Sequence, residues 1–380
     1  MGRVLVEALR VSSLALLVSA SLCPPCPFPA TAHLSLGAIM PEMTDSTASA
    51  GSKAIAGVSI QEGGEKASPV ETTTLTKGDL SVVFRDNSRS PQYLSGIASL
   101  INIKDAKDFD AFDPDTRGAS AGLNFEHIIS GHSNPANAFS PRKGKYLLYR
   151  LSDGDSAVLV RNREDSPWAV SSSYRYTLKK PYYIDVDFHC QAHEPGLFGT
   201  RGYAILFFAN YMNDVADVPI HFLGVDQPGG TEKWIAGDAP NTHPDWNHGG
   251  TYRNLLAQDL QYDPDHNFKL NIWSYDYPRF TKPFYFGRTA RNMVFLIMFN
   301  KAWTEEDEVR LSLFKFKLPK QQRPAWDFQY VIHKVTEGKE YGFKARLVWK
   351  KFVSPEDCLH EYKTWLAFLR KEQKRKSPAM

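Results

Sequence analysis

The chain has 380 residues, of which 42% are apolar, 23% charged and 13% aromatic. Its 45 basic and 42 acidic residues leave a formal charge of +3, without the basic excess of a nucleic-acid-binding protein. The length suits one large β domain with appendages, and the aromatic excess points to β-structure, a sugar- or partner-binding face, or both.

Arg3 and Arg10 flank a short charged start, followed by an uncharged apolar run, Val11 to Leu22. The run is too short to span a bilayer and suits the core of an export signal. Small-x-small sites place cleavage after Ala20 or after Ala32, so 1–32 reads as a signal peptide and the protein as secreted or periplasmic. No second apolar run reaches transmembrane length, so no membrane span is expected. Leu22 before Cys23 spoils a lipidation motif. Cys23 and Cys26 form a C-x-x-C with two prolines inside, which reads as removed or spacer sequence rather than a redox pair. Cys190 and Cys358 read equally well as a disulfide or as two buried thiols.

Residues 33–78, rich in Ser, Thr, Ala, Gly and Glu, read as a disordered spacer, with order from Asp79. Strands are expected at 80–84, 94–103, 145–151, 156–161, 170–178, 182–190, 203–211, 218–224, 268–275, 293–299, 308–318, 326–335 and 342–350. Turn residues punctuate the gaps and no β–α–β alternation appears, so the fold class is a mostly β antiparallel sandwich over 79–352. At the end, Ser354-Pro355-Glu356-Asp357 is a helix start, with Ser as N-cap, Pro at N1 and an acid at N3. Cys358, Leu359, Tyr362, Trp365, Leu366 and Leu369 then recur at helical spacing, so 353–380 is read as an amphipathic helix with a basic tail.

Five regions are candidates for chemistry. In 183–190, Ile184, Val186, Phe188 and Cys190 share one strand face, and Asp185, Asp187 and His189 share the other, about 7 Å apart. A dry core does not take two carboxylates, so that face is wet or functional. Asp185, Asp187 and His189 are the catalytic candidates. Around 271–288, Asn271, Trp273 and Tyr275 share the polar face of a strand, with Arg279 following. Rings beside an amide and a guanidinium suit a saccharide. A loop over about 225–267 carries Trp234, Trp246, His243, Asp245 and His248, and has lid length; its H-x-D-x-x-H spacing is no specific metal pattern. Glu126 and His127 point to opposite faces if the chain there is regularly extended, so they are not expected to act as a pair. The stretch Asn210-Tyr211-Met212-Asn213-Asp214 ends a very apolar strand and either turns polar groups into a cleft or closes the strand. Signatures of serine hydrolases, nucleotide enzymes, zincins and EF-hands are missing.

The order of Tyr183 to Cys190, Tyr203 to Asn213, Phe268 to Tyr275, Met293 to Phe299 and Ala325-Trp326-Asp327-Phe328-Gln329-Tyr330 resembles the concanavalin A-like lectin/glucanase jelly rolls, over roughly 79–352. The resemblance implies a glycan partner and a structural Ca²⁺ at Asp327. Glucanases of that superfamily carry E-x-D-x-x-E; the nearest segment, Asp185 to His189, has no Glu, so their retaining mechanism does not carry over. Two expectations follow: a glycoside hydrolase or polysaccharide lyase acting on an extracellular glycan, or a non-catalytic carbohydrate-binding or cell-envelope module.

Overall fold

The computed structural model describes residues 66–88, 94–112, 122–130, 144–238, 248–264, 276–315 and 323–376. The largest sheet runs in the order β1 (Ala67–Val70), β7 (Leu147–Leu151), β8 (Ser156–Arg161), β9 (Val170–Lys179), β10 (Tyr183–Ala192), β20 (Glu340–Lys351), β17 (Met293–Phe299), β16 (Phe284–Thr289), β12 (Ile220–Val225) and β13 (Lys233–Gly237). A short β15 (Arg279–Phe280) also pairs with β12. A second sheet has the order β14 (His248–Tyr252), β18 (Asp307–Lys315), β19 (Pro324–Ile332), β11 (Ala204–Ala209) and β6 (Asn124–Ile129). A third holds β2 (Thr72–Lys77), β3 (Leu80–Arg85), β4 (Gly96–Asn102) and β5 (Ala106–Asp110). Neighbouring strands are antiparallel throughout these ladders.

The sandwich forms because alternate residues of the two larger sheets are apolar. Phe188 of β10 and Phe343 of β20 face Phe208 of β11, at ring distances of 5.2 and 5.6 Å, and Phe208 stacks on Phe328 of β19 at 4.7 Å. The four-stranded sheet joins this core through Leu80, Val82, Phe84 and Leu100. Gly287 of β16 lets the backbone lie against the Trp326 ring, where a Cβ would come within 2.4 Å.

The far face of the large sheet is also apolar at its centre. Phe284, Phe286, Leu296 and Val348 are covered there by Cys358, Tyr362 and Trp365 of α1 (Pro355–Lys376). The helix starts as its sequence predicts: the Asp357 amide donates to Ser354 Oγ at 3.2 Å. Lys350 holds it down, donating to Glu361 at 2.6 Å and pairing with Asp357 at 2.9 Å. Among the described residues no helix is long and apolar enough to cross a membrane.

Two expectations change and one open reading is resolved. Residues 66–78 are not spacer: they form β1 and β2, in which Thr73 and Leu75 face inward from an otherwise polar strand. The expected long loop contains β13 and β14. Cys190 and Cys358 are both buried and free, one inside the sandwich and one beneath α1, which settles the open reading in favour of thiols. The signal segment, its cleavage sites and the strand expected at 268–275 lie outside the described residues.

Candidate functional site

Asp185, Asp187 and His189 do share the outer face of β10, and each carboxylate there is already committed. Asp185 takes a two-pronged contact from Arg346 of β20, at 2.5 and 2.9 Å. Lys344 donates to Asp187 at 2.9 Å. His189 bridges Asp187 at 3.1 Å and Glu340 at 2.8 Å. Register makes this inevitable, since Asp185 lies opposite Arg346 and Asp187 opposite Lys344. Burial works to raise the Asp187 carboxyl, but His189 and Lys344 outweigh it and hold the group below its usual range. The Asp187 hydrogen bond, helped by Glu340, raises His189 against partial burial. A groove of about 420 Å³ lies between this ladder and α1, lined by Arg175, Asp185, Asp187, Lys344, Trp365 and Phe368.

The expected aromatic partners do not meet that ladder. Trp234 packs edge-on to Phe284 and Phe286, and its indole N–H donates to Glu356 of the helix at 3.3 Å. Arg279 is spent on the carbonyls of Asp276 and Ala257, at 2.8 and 2.7 Å. Asn271, Trp273, Tyr275, His243, Asp245 and Trp246, and the side chain of His248, lie outside the described residues.

A denser polar constellation sits elsewhere, on the outer face of the five-stranded sheet. There β6 carries a bulge against β11: Phe207 faces His127, while the next residue, Phe208, faces Phe125. Glu126 is the extra residue. The insertion breaks the alternation of side chains and brings Glu126 and His127 to the same side, with His127 Nε2 3.5 Å from Glu126 Oε1. Tyr211, continuing the outer face of β11, donates its hydroxyl to the Glu126 carboxylate, 2.7 Å from either oxygen. The His127 ring stacks on Phe207 at 5.1 Å, which fixes its plane. Glu126 and His127 are 4% and 5% exposed, so their mutual interactions are little screened.

Neighbouring strands extend this face. Asp327 of β19 is buried and accepts the Asn210 amide at 3.0 Å. Burial, with the Glu126 charge adding to it, pushes the Asp327 carboxyl well up, against the pull of that amide. A calcium ion takes roughly six to eight oxygen ligands. The described residues contain no group of three or more His, Cys, Asp or Glu side chains suited to a metal. Gln329 donates to Thr251 at 3.2 Å, and Thr251 bonds Ser312 at 3.1 Å. On β18, Glu308 and Arg310 stand two residues apart on one face, both fully buried and paired through Arg310 Nε at 2.8 Å. Arg310 also donates to the Tyr262 hydroxyl at 3.1 Å. Burial pushes Glu308 up, yet Arg310 and His333 bring it below its ordinary value.

Two of the weaker sequence candidates, the Glu126-His127 pair and the end of the 203–211 strand, are thus the ones that converge. Glu308, Arg310 and His333 carry no sequence signal beyond a strand pattern, because a buried ion pair and a wet strand face look alike in one dimension.

No family model matches the chain, and no curated protein matches its sequence. Solved structures similar to it include a GalM/aldose epimerase homologue from C. elegans, with 10% identity over 76% of this chain and 100% of that one and a TM-score of 0.37. Another is heparan sulfate lyase HepC from Pedobacter heparinus, with 8% identity over 72% of this chain and 34% of that one and a TM-score of 0.38. A mutant of the same lyase gives 7% identity, 74% and 35% coverage, and a TM-score of 0.38. This chain therefore spans about a third of the lyase's length. At this level of likeness neither fold family nor chemistry transfers, and neither name is that of a concanavalin A-like lectin or glucanase.

Proposed function

We propose that this protein is a secreted carbohydrate-active enzyme, a glycoside hydrolase or polysaccharide lyase, whose acid–base centre is Glu126, His127 and Tyr211. The observation that carries the reading is their convergence. A phenol hydrogen-bonds a carboxylate, and an imidazole nitrogen stands 3.5 Å from the same carboxylate, on a nearly dry sheet face where the β6 bulge puts Glu126 and His127 on one side. Such groups abstract and return protons at carbon or glycosidic oxygen. Glu126 or His127 serves as base and Tyr211 as proton donor. Phe207, Tyr211 and Tyr262 set ring faces among these polar groups, a mixture suited to sugars. The export-type N-terminus and the near-neutral charge agree with an extracellular glycan rather than a nucleic acid. On this reading the Asp185–Asp187–His189 ladder braces β10 to β20.

The test is a panel of plant and algal polysaccharides incubated with the parent chain and with Glu126→Gln, Tyr211→Phe and Asp187→Asn variants, with products separated by chromatography. Glu126→Gln and Tyr211→Phe are expected to lose about 10²–10⁴ in turnover, with Asp187→Asn near parental. Full turnover by Glu126→Gln returns the search to the β10 face. Glycan binding with no product from the parent chain favours the non-catalytic module instead.

A further inference from the structure

The outer face of β11 continues from Phe207 through Ile205 to Tyr203, about 13 Å along the strand from His127. At that end lies a cavity of about 670 Å³, lined by Arg201, Tyr203, Leu260, Asp263 and His333, among others. We infer that this cavity is a subsite for an anionic group, the carboxylate or sulfate of an acidic saccharide whose neighbouring unit lies over Glu126 and His127. The inference rests on the acid–base reading of that face and adds the substrate class to it.

The charges around the cavity are positive on balance. The hydrogen bonds Arg201 makes among the described residues come from its backbone amide, and its guanidinium has no ion pair or hydrogen bond among them. That amide shares one bifurcated hydrogen bond between the two oxygens of Asp263, at 3.2 and 3.3 Å, which orients the one carboxylate lining the cavity and leaves its charge in place. His333 Nδ1 donates to the Glu305 carbonyl at 3.0 Å, and its Nε2 faces Glu308 Oε1 at 3.8 Å. Both ring nitrogens therefore meet oxygen acceptors, which favours the imidazolium. Glu308 itself is neutralised by Arg310, so it adds no net charge at this end. Lys334 passes its stem beside Gly202, the residue after Arg201, and its ammonium too has no ion pair among the described residues. Asp259 and Glu305 line a separate cavity of about 350 Å³, which His333 also borders. The larger space is lined by a guanidinium and an imidazolium against the single Asp263 carboxylate, a positive balance, with Tyr203 and Leu260 for the apolar ring of a sugar. A guanidinium takes carboxylate or sulfate through paired N–H groups.

Calorimetric titration of the full chain with three hexasaccharides decides the matter: an oligogalacturonate, a sulfated galactan fragment and the same galactan without sulfate. At least one acidic ligand is expected to bind tenfold or more tighter than the neutral one, and Arg201→Ala to remove that preference, with Arg201→Lys restoring part of it. The stronger acidic ligand identifies carboxylate or sulfate as the group held. Equal affinity for all three, no binding of any, or a preference untouched by Arg201→Ala overturns the inference. Glu126→Gln separates this from the catalytic reading. Lost turnover with no acidic preference leaves the acid–base centre standing and the subsite wrong. Retained turnover with an Arg201-dependent preference does the reverse.

Discussion

Asp327 shows how far a side chain's surroundings reset its chemistry. It has one backbone amide for an acceptor contact, no exposure to water, and Glu126 nearby, so its neutral form is favoured. A carboxyl raised in the folded state stabilises the fold below its unfolded pKa, and that contribution is lost as pH rises through the folded value. Asp327→Asn, which keeps the acceptor for the Asn210 amide, should therefore melt close to the parent near pH 4 and above it at pH 8. A parent that melts higher than the variant at pH 8 in calcium-free buffer contradicts this. A calcium-dependent rise confined to the parent returns the metal role that the sequence resemblance implied. At this scale the sequence was least legible. Glu126 and His127 are separated by strand parity in any regular extended chain, and a bulge leaves no mark in residue type. Asp185, Asp187 and His189 were correctly placed on one face, but their partners come from β20, some 155 residues away, where no local pattern reaches.

Strands with a continuous apolar run or a clean apolar alternation were read most accurately. β8 and β17 have the predicted bounds, and β10 lies within two residues of them, because apolar alternation or a continuous apolar run states the burial outright. The strands missed are short, edge-placed or polar. β1 and β13 end the large sheet, β2 carries four threonines and a lysine around a single leucine, and β14 is His-Gly-Gly-Thr-Tyr. β16 was missed for a different reason: its Phe-Tyr-Phe-Gly-Arg-Thr reads as an aromatic loop until α1 and Trp326 cover its two sides. Within β18 the buried Glu308–Arg310 pair is a liability as well as a link. Arg310→Met strands a fully buried carboxylate and should cost about 3–5 kcal/mol in urea unfolding, whereas adding Glu308→Leu to it should recover most of that loss. A single variant as stable as the parent refutes the pairing.

The described residues form an antiparallel sandwich whose large sheet is covered on both sides at its centre: the five-stranded sheet and the β2–β5 sheet close one face, and α1 closes the centre of the other. This was partly visible in advance, since the amphipathic C-terminal stretch and the two-faced apolar strands each ask for a cover. Which cover goes on which face is a matter of long-range pairing and was not. The arrangement gives the protein two internal clocks. Cys190 answers only to opening of the sandwich, while Cys358 answers to undocking of the helix; burial raises both thiols, Cys358 to about 12, so neither reacts while its cover stays on. Pulsed alkylation read out peptide by peptide should label Cys358 before Cys190 in mild denaturant if α1 lifts away as a unit of its own, and both at one rate if the molecule opens all at once. The two thiols then time separately how each side of a single sheet is kept dry.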